Sequence, residues 1–383
     1  MPTPAAARIA VVGAGPGGLT CARILQRHGI GVTVYDRDPG PGARDQGGSL
    51  DLHEDDGQIA LREAGLLEEF HRRSRPEGQE MRQLDHATGA IGFHHVPAEG
   101  ERFKPEIDRG HLRELLLDSL RPGTVRWGCA LRSVEGPAEG PRRLRFADGT
   151  TVEADLVIGA DGAWSTVRRA VSDAVPRYTG ISFLEAWFHG TDDRHADIAE
   201  LVGLGSTLAA DGERGLFAQR NSGGHLRVYV MQRVPADWIA RAGLTAEDTD
   251  GIRALLLDRY RAWSPGLRRL LTDNDGPYVD RPLYALPVPH TWEPDPTVTL
   301  LGDAAHLMPP LGVGVNLALL DAAELALALA GHHTVADALR AYEKTMLPRS
   351  ARMQHALDGH AQDLLSAEPH GPGGDGPGGD GPR

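Results

Sequence analysis

Gly13-Ala14-Gly15-Pro16-Gly17-Gly18 stands between a short apolar run, residues 9–12, and a segment of good helix formers, residues 19–27. This order predicts a strand that turns directly into a helix, and the amides at such a helix N-terminus bind phosphate. Gly13 permits the tight turn, Gly15 lets the backbone approach a pyrophosphate, and Gly18 lets the helix pack closely on the strand. The stretch therefore predicts an α/β fold that opens with a dinucleotide-binding unit.

A carboxylate at the end of the next apolar strand supports the same prediction. Residues 31–35 form that strand, and Asp36 follows it about 20 residues beyond the glycines, where an acid accepts a hydrogen bond from a ribose hydroxyl. The negative charge of Asp36 disfavours a 2′-phosphate at this position. Strand, helix, second strand and acid together are more specific than the glycines alone.

Length, charge and cysteine content limit the classes of function. The 383 residues exceed one ordinary hydrophobic core, which favours two subdomains around a shared cleft. The net charge of −13 and the pI near 5.7 disfavour anionic surfaces, so we expect a small-molecule substrate and neither nucleic acid nor membrane as a partner. Cys21 and Cys129 form no disulfide framework, and no export signal is expected, which predicts a cytoplasmic protein.

Further along the chain, the hydrophobic pattern predicts a second sheet. Strand signals cover residues 125–132, 142–146 and 151–158. Apolar and polar residues then alternate over residues 178–234, as in antiparallel strands with one buried face. Residues 246–263 and 335–364 have helical patterns. The tail, residues 366–383, is expected to be disordered, because residues 371–383 repeat Gly-Pro-Gly-Gly-Asp.

Two later segments complete an ordered set of motifs. Gly159-Ala160-Asp161-Gly162-Ala163-Trp164-Ser165 ends at Arg168, and Leu301-Gly302-Asp303-Ala304-Ala305-His306 follows near the end of the chain. Together with the first glycines, these motifs indicate a bound FAD. The chain resembles the single-component, FAD-dependent aromatic hydroxylases, the family that includes 4-hydroxybenzoate hydroxylase. Within that family, Gly47-Gly48-Ser49-Leu50-Asp51-Leu52-His53 and Pro105-Glu106-Ile107-Asp108-Arg109 are most similar to the tetracycline-inactivating flavin monooxygenases.

The resemblance implies a set of residues that bind FAD or NADPH. The set comprises Gly13, Gly15, Gly18, Asp36, Arg44, Asp51, Arg109, Asp161, Asp303, Gly314 and Asn316. The glycines and Asp36 correspond to the ADP half of FAD, Asp51 and Arg109 to the flavin, and Asp303 to the ribityl chain. Arg44 matches a position that contacts NADPH, and Asp161 matches one associated with both cofactors.

Gly314 and Asn316 belong to the loop at residues 309–316, which precedes a predicted helix. Amides at that helix N-terminus favour the electron-rich flavin pyrimidine. The sequence departs from the family pattern here, because the loop is one residue shorter and Val313 replaces a common Gln. Asp36 is also shorter than the more usual Glu, and Arg44 has the alternative interpretation of an ordinary solvated charge.

The substrate prediction rests on three differences from the tetracycline-inactivating relatives. Glu185 stands where they have a Gln, Thr207 where they have a substrate-binding Arg, and Arg227 where they have a substrate-binding His. A site built for particular hydrogen bonds rejects an imperfect partner. We therefore expect these residues to bind a polycyclic aromatic or enolic compound other than tetracycline, with Glu185 and Arg227 able to pair before substrate binds. The aromatic residues Phe183, Trp187, Phe188, Phe217 and Tyr229 are either pocket walls or ordinary core.

The chemistry that the resemblance implies belongs mainly to the cofactor. NADPH reduces FAD, molecular oxygen adds at flavin C4a, and the hydroperoxide delivers one oxygen atom to the substrate, in tailoring or inactivation of a natural product or antibiotic. The histidines His94, His95 and His306 have ordinary structural explanations, so we predict no catalytic side chain and no metal. A flavin oxidase or reductase without oxygen insertion is one alternative, and a non-catalytic FAD- or ligand-binding protein is another.

The flavin motifs flank the alternating region, which contains none of them. We therefore predict a discontinuous FAD-binding domain at residues 1–77, 98–176 and 278–332. An antiparallel substrate-binding domain is predicted at residues 78–97 and 177–277. Residues 333–365 are predicted to form a C-terminal helix that bridges both.

Overall fold

The computed structural model describes residues 3–43, 47–310, 312–360 and 365. The strands are β1 (Ile9–Val12), β2 (Val32–Tyr35), β3 (Ser49–Asp51), β4 (Met81–Leu84), β5 (Ile91–His95), β6 (Glu106–Asp108), β7 (Val125–Arg126), β8 (Leu131–Glu135), β9 (Arg142–Phe146), β10 (Thr151–Ala154), β11 (Leu156–Gly159), β12 (Arg177–Phe188), β13 (Ser206–Ala210), β14 (Arg214–Asn221), β15 (His225–Arg233), β16 (Val279–Ala285) and β17 (Val298–Leu300). The α-helices are α1 (Pro16–Arg27), α2 (Gly57–Ala64), α3 (Leu67–Arg73), α4 (Arg109–Asp118), α5 (Thr191–Arg194), α6 (Ala196–Val202), α7 (Trp238–Arg241), α8 (Thr249–Arg259), α9 (Pro265–Thr272), α10 (Asp303–His306), α11 (Gly314–Gly331) and α12 (Val335–His360). Short 3-10 helices cover Pro4–Ala6, Pro76–Gln79, Val167–Ala170 and Ser222–Gly224.

A five-stranded parallel sheet, in the order β17-β11-β1-β2-β7, carries the cofactor motifs. β1 lies between β2 and β11, with Ile9 opposite both Val32 and Leu156. Every residue of β1 and β11 is buried, as expected for a parallel sheet with helices over its faces. α1 follows β1 directly and packs against α2 and α11. The predicted α/β class with a Rossmann-like beginning is confirmed.

Two predicted strands are each divided in the structure. Residues 125–132 become β7, at the edge of the parallel sheet, and β8, in a three-stranded sheet with β9 and β10. The break occurs because the amides of Gly128 and Cys129 donate to the carbonyls of Asp38 (2.8 Å) and Asp36 (2.7 Å), which pulls the chain across the end of β2. Residues 151–158 divide at Asp155, whose amide donates to the Arg8 carbonyl at 2.9 Å. The chain there leaves its antiparallel partner β9 and enters the parallel sheet as β11.

The alternating region forms a seven-stranded sheet in the order β16-β12-β15-β14-β13-β4-β5. It is antiparallel except where β13 runs parallel to β4. One face packs on helices α6 to α9 in a core that includes Ile198, Trp238 and Leu267. The opposite face approaches β3, which pairs with β6 in a two-stranded sheet. The predicted second, antiparallel sheet is confirmed.

The division of the chain into FAD-binding and substrate-binding domains stays a prediction. One strand lies on the other side of the proposed boundary at residue 278. Residues 279–285 were assigned to the FAD-binding domain, whereas β16 is hydrogen-bonded to β12 in the seven-stranded sheet. The hydrophobic residues nevertheless form separate cores around the parallel sheet and between the seven-stranded sheet and its helices.

Helices α11 and α12 pack together at the end of the chain. Tyr342 on α12 donates to the Leu300 carbonyl at 2.9 Å, which ties this helix to β17. α11 is long and apolar enough to cross a membrane, but half of it is buried within the protein, as in a core helix. The predicted continuation of α12 over residues 361–364 and the predicted disordered tail, residues 366–383, lie outside the described residues.

Candidate functional site

The glycine turn between β1 and α1 leaves room for a ligand at one position only. Gly13 has φ 109°, and a Cβ built on it would collide with the Ala160 carbonyl. A Cβ on Gly18 would collide with the Gly13 carbonyl, whereas nothing lies within 4 Å of a Cβ built on Gly15. Gly13 and Gly18 are therefore needed for close packing, and Gly15 leaves the backbone at the N-terminus of α1 accessible to phosphate.

Asp36 is bound to the backbone around this turn. Its carboxylate accepts from the amides of Ala14 at 2.6 Å and Asp38 at 2.8 Å. A carboxylate has about four acceptor positions, so a ribose hydroxyl can still be added to these two bonds. Arg113, which the sequence reasoning missed, supports the turn from α4 by donating to the Ala14 carbonyl at 3.0 Å. Its signal in the sequence is a charged residue inside the leucine stripe of α4.

The Asp161 side chain is hydrogen-bonded to residues of its own motif and just beyond it. Its carboxylate accepts from the Ser165 hydroxyl at 2.5 Å and from the amides of Thr166 at 2.7 Å and Val167 at 3.1 Å. Burial raises the pKa of Asp161, and these hydrogen bonds partly oppose that shift. The carboxylate therefore fixes the start of the 3-10 helix Val167–Ala170.

Arg168 joins the second flavin motif to the third. It is buried, and it donates to the carbonyls of Ala163 at 3.0 Å, Asp303 at 2.9 Å and Ala304 at 2.7 Å. The side chain of Asp303 itself is exposed at the start of α10, and no described residue forms a hydrogen bond with its carboxylate. Arg168 thus holds the Asp303 backbone and leaves the carboxylate available to a ligand.

A buried ionic network lies beneath Asp303. Asp321 on α11 accepts from the Gly302 amide at 3.0 Å, from His306 at 2.6 Å and from Arg349 on α12 at 2.7 Å. Burial opposes charge on His306, but Asp321 outweighs burial and raises the pKa of His306. This network positions the Gly302-Asp303 turn, so His306 has a structural role. No local pattern in the sequence indicates that Arg349 on α12 pairs with Asp321.

Asn316 holds β3 against the start of α11. It is buried, its Oδ1 accepts from the His53 amide at 2.9 Å, and its Nδ2 donates to the carbonyls of Asp51 at 2.9 Å and Gly312 at 3.2 Å. The Asn316 side chain therefore forms its hydrogen bonds within the protein. Gly314 begins α11 with nothing within 4 Å of a Cβ built on it, so its backbone is accessible. Arg44, the predicted NADPH contact, lies outside the described residues.

The predicted flavin contacts Asp51 and Arg109 lie at the edge of the two-stranded sheet. Asp51 is 3.2 Å from Nε2 of His53. Burial disfavours charge on His53, but Asp51 and Asp56 outweigh it and raise the pKa of His53 to about 9. Arg109 begins α4, its amide donates to the Gly48 carbonyl at 3.0 Å, and its side chain is exposed.

The seven-stranded sheet brings two of the three predicted substrate-binding residues together. Glu185 on β12 and Arg227 on β15 are buried and form an ion pair, as predicted for the protein without substrate. The Arg227 guanidinium lies 4.4 Å from the ring centre of Trp187 and 5.6 Å from that of Tyr229. These side chains share the face that approaches β3.

Thr207 does not lie with Glu185 and Arg227. Successive residues of a strand point to opposite faces, and Thr207 points with Ala209 toward the helical core, where it donates to the Val202 carbonyl at 2.9 Å. Phe188 is buried in the same core, so it is not a pocket wall. Phe183, Phe217 and Tyr229 pack together on the opposite face.

Glu106 is a further residue at this face to which the sequence reasoning gave no role. It accepts from the Ser49 hydroxyl and from Nε2 of Gln219 on β14 at 3.3 Å. Burial, reinforced by the nearby Asp51, raises the pKa of Glu106 to about 7. Glu106 is buried by residues that are distant in sequence, such as Gln219, and the motif around Glu106 does not indicate these contacts.

Gly48 is the point at which the cofactor side and the sheet meet. A Cβ built on Gly48 would lie 2.7 Å from the Tyr229 hydroxyl, 3.2 Å from Cδ of Arg227 and 3.3 Å from Oε1 of Gln219. Only a glycine lets β3 approach this polar face so closely. β3 therefore brings the predicted flavin contact Asp51 close to the face of the sheet that carries Glu185 and Arg227. Within the described residues, no group of three or more His, Cys, Asp or Glu side chains could hold a metal ion.

Comparisons with known proteins show the family and the fold of the chain. Residues 6–230 and 288–356 match the model of a family described as FAD binding domain. The chain is 30% identical to the monooxygenase asqM of Emericella nidulans, over 90% of this chain and 92% of that protein. It is 31% identical to the 3-amino-4-hydroxybenzoate 2-monooxygenase of Streptomyces cremeus, over 95% of this chain and 89% of that enzyme. The crystal structure of tetracycline destructase Tet(55) has the same fold, with a TM-score of 0.73, 21% identity and coverage of 96% and 92% of the two chains.

Proposed function

Because this chain belongs to the FAD binding domain family and is an FAD-dependent monooxygenase, we propose that it consumes NADPH and molecular oxygen to insert one oxygen atom into a polycyclic aromatic or enolic small molecule. The observation that carries the proposal is the meeting at Gly48 of the flavin motifs and a polar sheet face. One relative is named for a hydroxylated aromatic acid, which supports an aromatic substrate here.

The residues present fit FAD. Gly15 leaves the N-terminus of α1 accessible to the pyrophosphate, and the exposed Asp303 carboxylate suits the hydroxyls of the ribityl chain. In this proposal, Arg109 and the amides at Gly314 meet the polar oxygens of the flavin. When bound, FAD supplies hydride acceptance and oxygen activation at C4a. Asp161 and Asn316 support it by fixing the backbone, since their side chains are bonded within the protein, whereas Asp36 keeps acceptor positions for a ribose hydroxyl.

NADPH binds transiently, in this proposal, on a surface without its own glycine fingerprint. The one Gly-x-Gly-x-x-Gly that follows a strand and carries a downstream acid is already assigned to FAD. Arg44 is the proposed contact for the anionic nicotinamide cofactor. The buried Cys21 and half-buried Cys129 are both free thiols, which supports the reducing cytoplasm as the place of action.

The substrate side of the site supports specificity different from that of the tetracycline-inactivating enzymes. Glu185 and Arg227 form a buried ion pair, while Thr207 points away from them. A buried ion pair of this kind makes the site selective between substrates, because a substrate with the wrong polar groups leaves a buried charge unpaired. We propose tailoring or inactivation of a natural product other than tetracycline.

Labelled oxygen provides the decisive experiment. The FAD-loaded enzyme is incubated with NADPH, ¹⁸O₂ and a panel of aromatic polyketides and hydroxylated aromatic acids, with tetracycline as a separate arm. We expect one ¹⁸O atom in the product, detected by mass spectrometry, and poor conversion of tetracycline. Dehydrogenated products accompanied only by hydrogen peroxide would establish an oxidase instead, and efficient tetracycline hydroxylation would overturn the specificity alone.

A further inference from the structure

Two histidines face each other at one end of the seven-stranded sheet. β12 and β15 are antiparallel, and Phe188 at the end of β12 lies opposite Leu226. The next residues along the two strands, His189 and His225, are therefore direct cross-strand neighbours with side chains on the same face. Both reach the solvent, because His189 is exposed and His225 is half-buried.

The two rings present the same nitrogen to each other. Nδ1 of His189 lies 3.1 Å from Nδ1 of His225, and the ring planes are nearly perpendicular, at 87°. Two imidazole nitrogens that share one zinc ion at about 2.0–2.1 Å lie about 3.3 Å apart at the tetrahedral angle and about 2.9 Å apart at a right angle. The observed separation falls between these values, so both rings can bind one metal ion with only a small adjustment.

The surrounding structure holds His189 in place. Its ring stacks on Trp187, with 6.0 Å between the ring centres and 12° between the planes. Its amide donates to the Asp275 carboxylate at 2.8 Å, and its carbonyl accepts from Arg194 at 3.2 Å. A ligand residue that is already ordered loses little conformational entropy when the metal ion binds.

The arginines close to this pair are balanced by carboxylates. Arg194 pairs with Asp275 at 2.7 Å, and Arg220 pairs with Asp192. The chain as a whole carries a net charge of −13, which raises the local concentration of cations. The electrostatic surroundings therefore permit a cation to bind at the two rings.

We propose that His189 and His225 together bind one divalent transition metal ion of the zinc class through their Nδ1 atoms. Without metal, one Nδ1 carries a hydrogen and donates it to the other. In the metal-bound form the ion takes the place of this hydrogen, the donor ring carries its hydrogen on Nε2, and water fills the remaining positions. Imidazole nitrogen selects zinc over Mg²⁺ and Ca²⁺, which prefer oxygen ligands. Because the site involves neither FAD nor substrate, the inference goes beyond the proposed function and does not depend on it.

Zinc titration of the FAD-loaded, tag-free full chain tests the pair. The protein is treated with a chelator and exchanged into metal-free buffer, and binding of ZnCl₂ is measured by calorimetry, with MgCl₂ as the comparison. We expect one zinc site per chain, a higher Tm with zinc, and no comparable response to magnesium. His189→Gln and His225→Gln should each weaken zinc binding at least about tenfold, since loss of even an outer partner of a metal ligand costs about 10–100-fold. His333→Gln removes an exposed histidine between α11 and α12 and should bind zinc like the parent.

The two single variants separate a shared ion from zinc on one ordinary histidine. A shared ion needs both rings, so an effect confined to one variant overturns the proposal. Absence of zinc binding in the parent, or equal binding in the parent and both variants, overturns it as well. If a variant does not fold, the parent alone decides: zinc should protect His189 and His225, but not His333, from modification by diethyl pyrocarbonate, mapped by peptide mass spectrometry. Equal modification of His189 and His225 with and without zinc contradicts the site.

Discussion

Asp303 is proposed to bind the ribityl chain of FAD through a side chain that makes no hydrogen bond with the described residues. Its backbone carbonyl is held by Arg168 and its carboxylate is exposed without a described partner. We expect Asp303→Ala to weaken FAD binding by about 1–3 kcal/mol, because the ribityl hydroxyls lose an acceptor, and to leave the fold intact. Titration of the apoprotein with FAD measures the effect.

Two variants make the Asp303 result specific. Asp303→Asn keeps one acceptor oxygen and should weaken FAD binding less than Asp303→Ala. Asp250→Ala removes another exposed carboxylate, on α8, and should bind FAD like the parent. Equal FAD affinity in Asp303→Ala and the parent would remove Asp303 from the proposed site.

Arg44 is assigned to NADPH by resemblance alone, so its test is kinetic. We expect Arg44→Ala to slow reduction of bound FAD by NADPH while FAD affinity is preserved, because the guanidinium contacts the anionic cofactor only transiently. Stopped-flow absorbance at several NADPH concentrations separates a binding defect from a slower hydride transfer. Identical reduction rates in variant and parent would mean that Arg44 is an ordinary surface charge.

Glu106 predicts a dependence of stability on pH. Its pKa in the folded protein is raised to about 7 by burial and Asp51, so the folded state keeps a proton that the unfolded state releases. The contribution of Glu106 to the free energy of unfolding therefore falls as pH rises from its ordinary pKa to about 7, and then stays constant. Glu106→Gln should remove this fall. The free energy of unfolding of the variant minus that of the parent should therefore be larger at pH 8 than at pH 5, by on the order of 1–3 kcal/mol. Denaturant unfolding at both pH values, with the exposed Glu114→Gln as control, gives the comparison, and parallel pH profiles would contradict it.

The sequence motifs identified candidate site residues but not the groups of the protein to which their side chains are hydrogen-bonded. Asp161 and Asn316 were predicted from their positions in motifs, yet their side chains are bonded to the backbone of the protein. Arg113 and Glu106 were missed because their roles depend on burial and on groups far away in sequence. The opposite charges of Glu185 and Arg227 allow the two residues to pair, but only the pairing of β12 with β15 brings them together.

At the scale of elements, the contact between β3 and the seven-stranded sheet depends on Gly48. A Cβ there would lie 2.7 Å from the Tyr229 hydroxyl, and overpacking of this kind costs about 1–3 kcal/mol. We expect Gly48→Ala to retain FAD but to lose substrate-dependent NADPH oxidation, because Tyr229 and Arg227 must shift. Gly110→Ala in α4 meets no atom within 4 Å and should behave like the parent. Adding Tyr229→Phe should partly rescue Gly48→Ala, and no rescue would place the defect elsewhere.

Strand periodicity predicted that a second sheet exists but not which residues share its faces. Thr207 was matched to a substrate-binding position, yet the pairing of β13 with β14 turns it toward the helical core. A shift of one residue reverses the face of every side chain in a strand, so matching a residue to a position in relatives is least certain where a strand lines a site. The divided strands have a related cause, because their breaks come from hydrogen bonds to β2 and Arg8, which local patterns do not contain.

At the scale of the whole molecule, the proposed FAD contacts all lie on elements around the parallel sheet. The second core, between the seven-stranded sheet and helices α6 to α9, contains none of them. In the proposed binding mode, FAD links segments that are distant in sequence, at residues 13–18, 161–168 and 302–316. This distribution explains why the order of the motifs predicted the cofactor, whereas the boundary between domains could not be fixed.

The same distribution predicts how the protein responds to loss of FAD. A ligand that binds only the folded state stabilises it, by about 2.7 kcal/mol at a free concentration of 100 times Kd. We expect the apoprotein to unfold at a lower temperature than the FAD-loaded protein and the difference to grow with added FAD. Hydrogen exchange should rise at residues 13–18, 161–168 and 302–306, while α8 and α9 keep their protection because their core lies elsewhere. Asp303→Ala should need more FAD for the same shift in Tm. An equal loss of protection in both cores would mean that FAD organises the whole molecule and that the two cores do not respond separately.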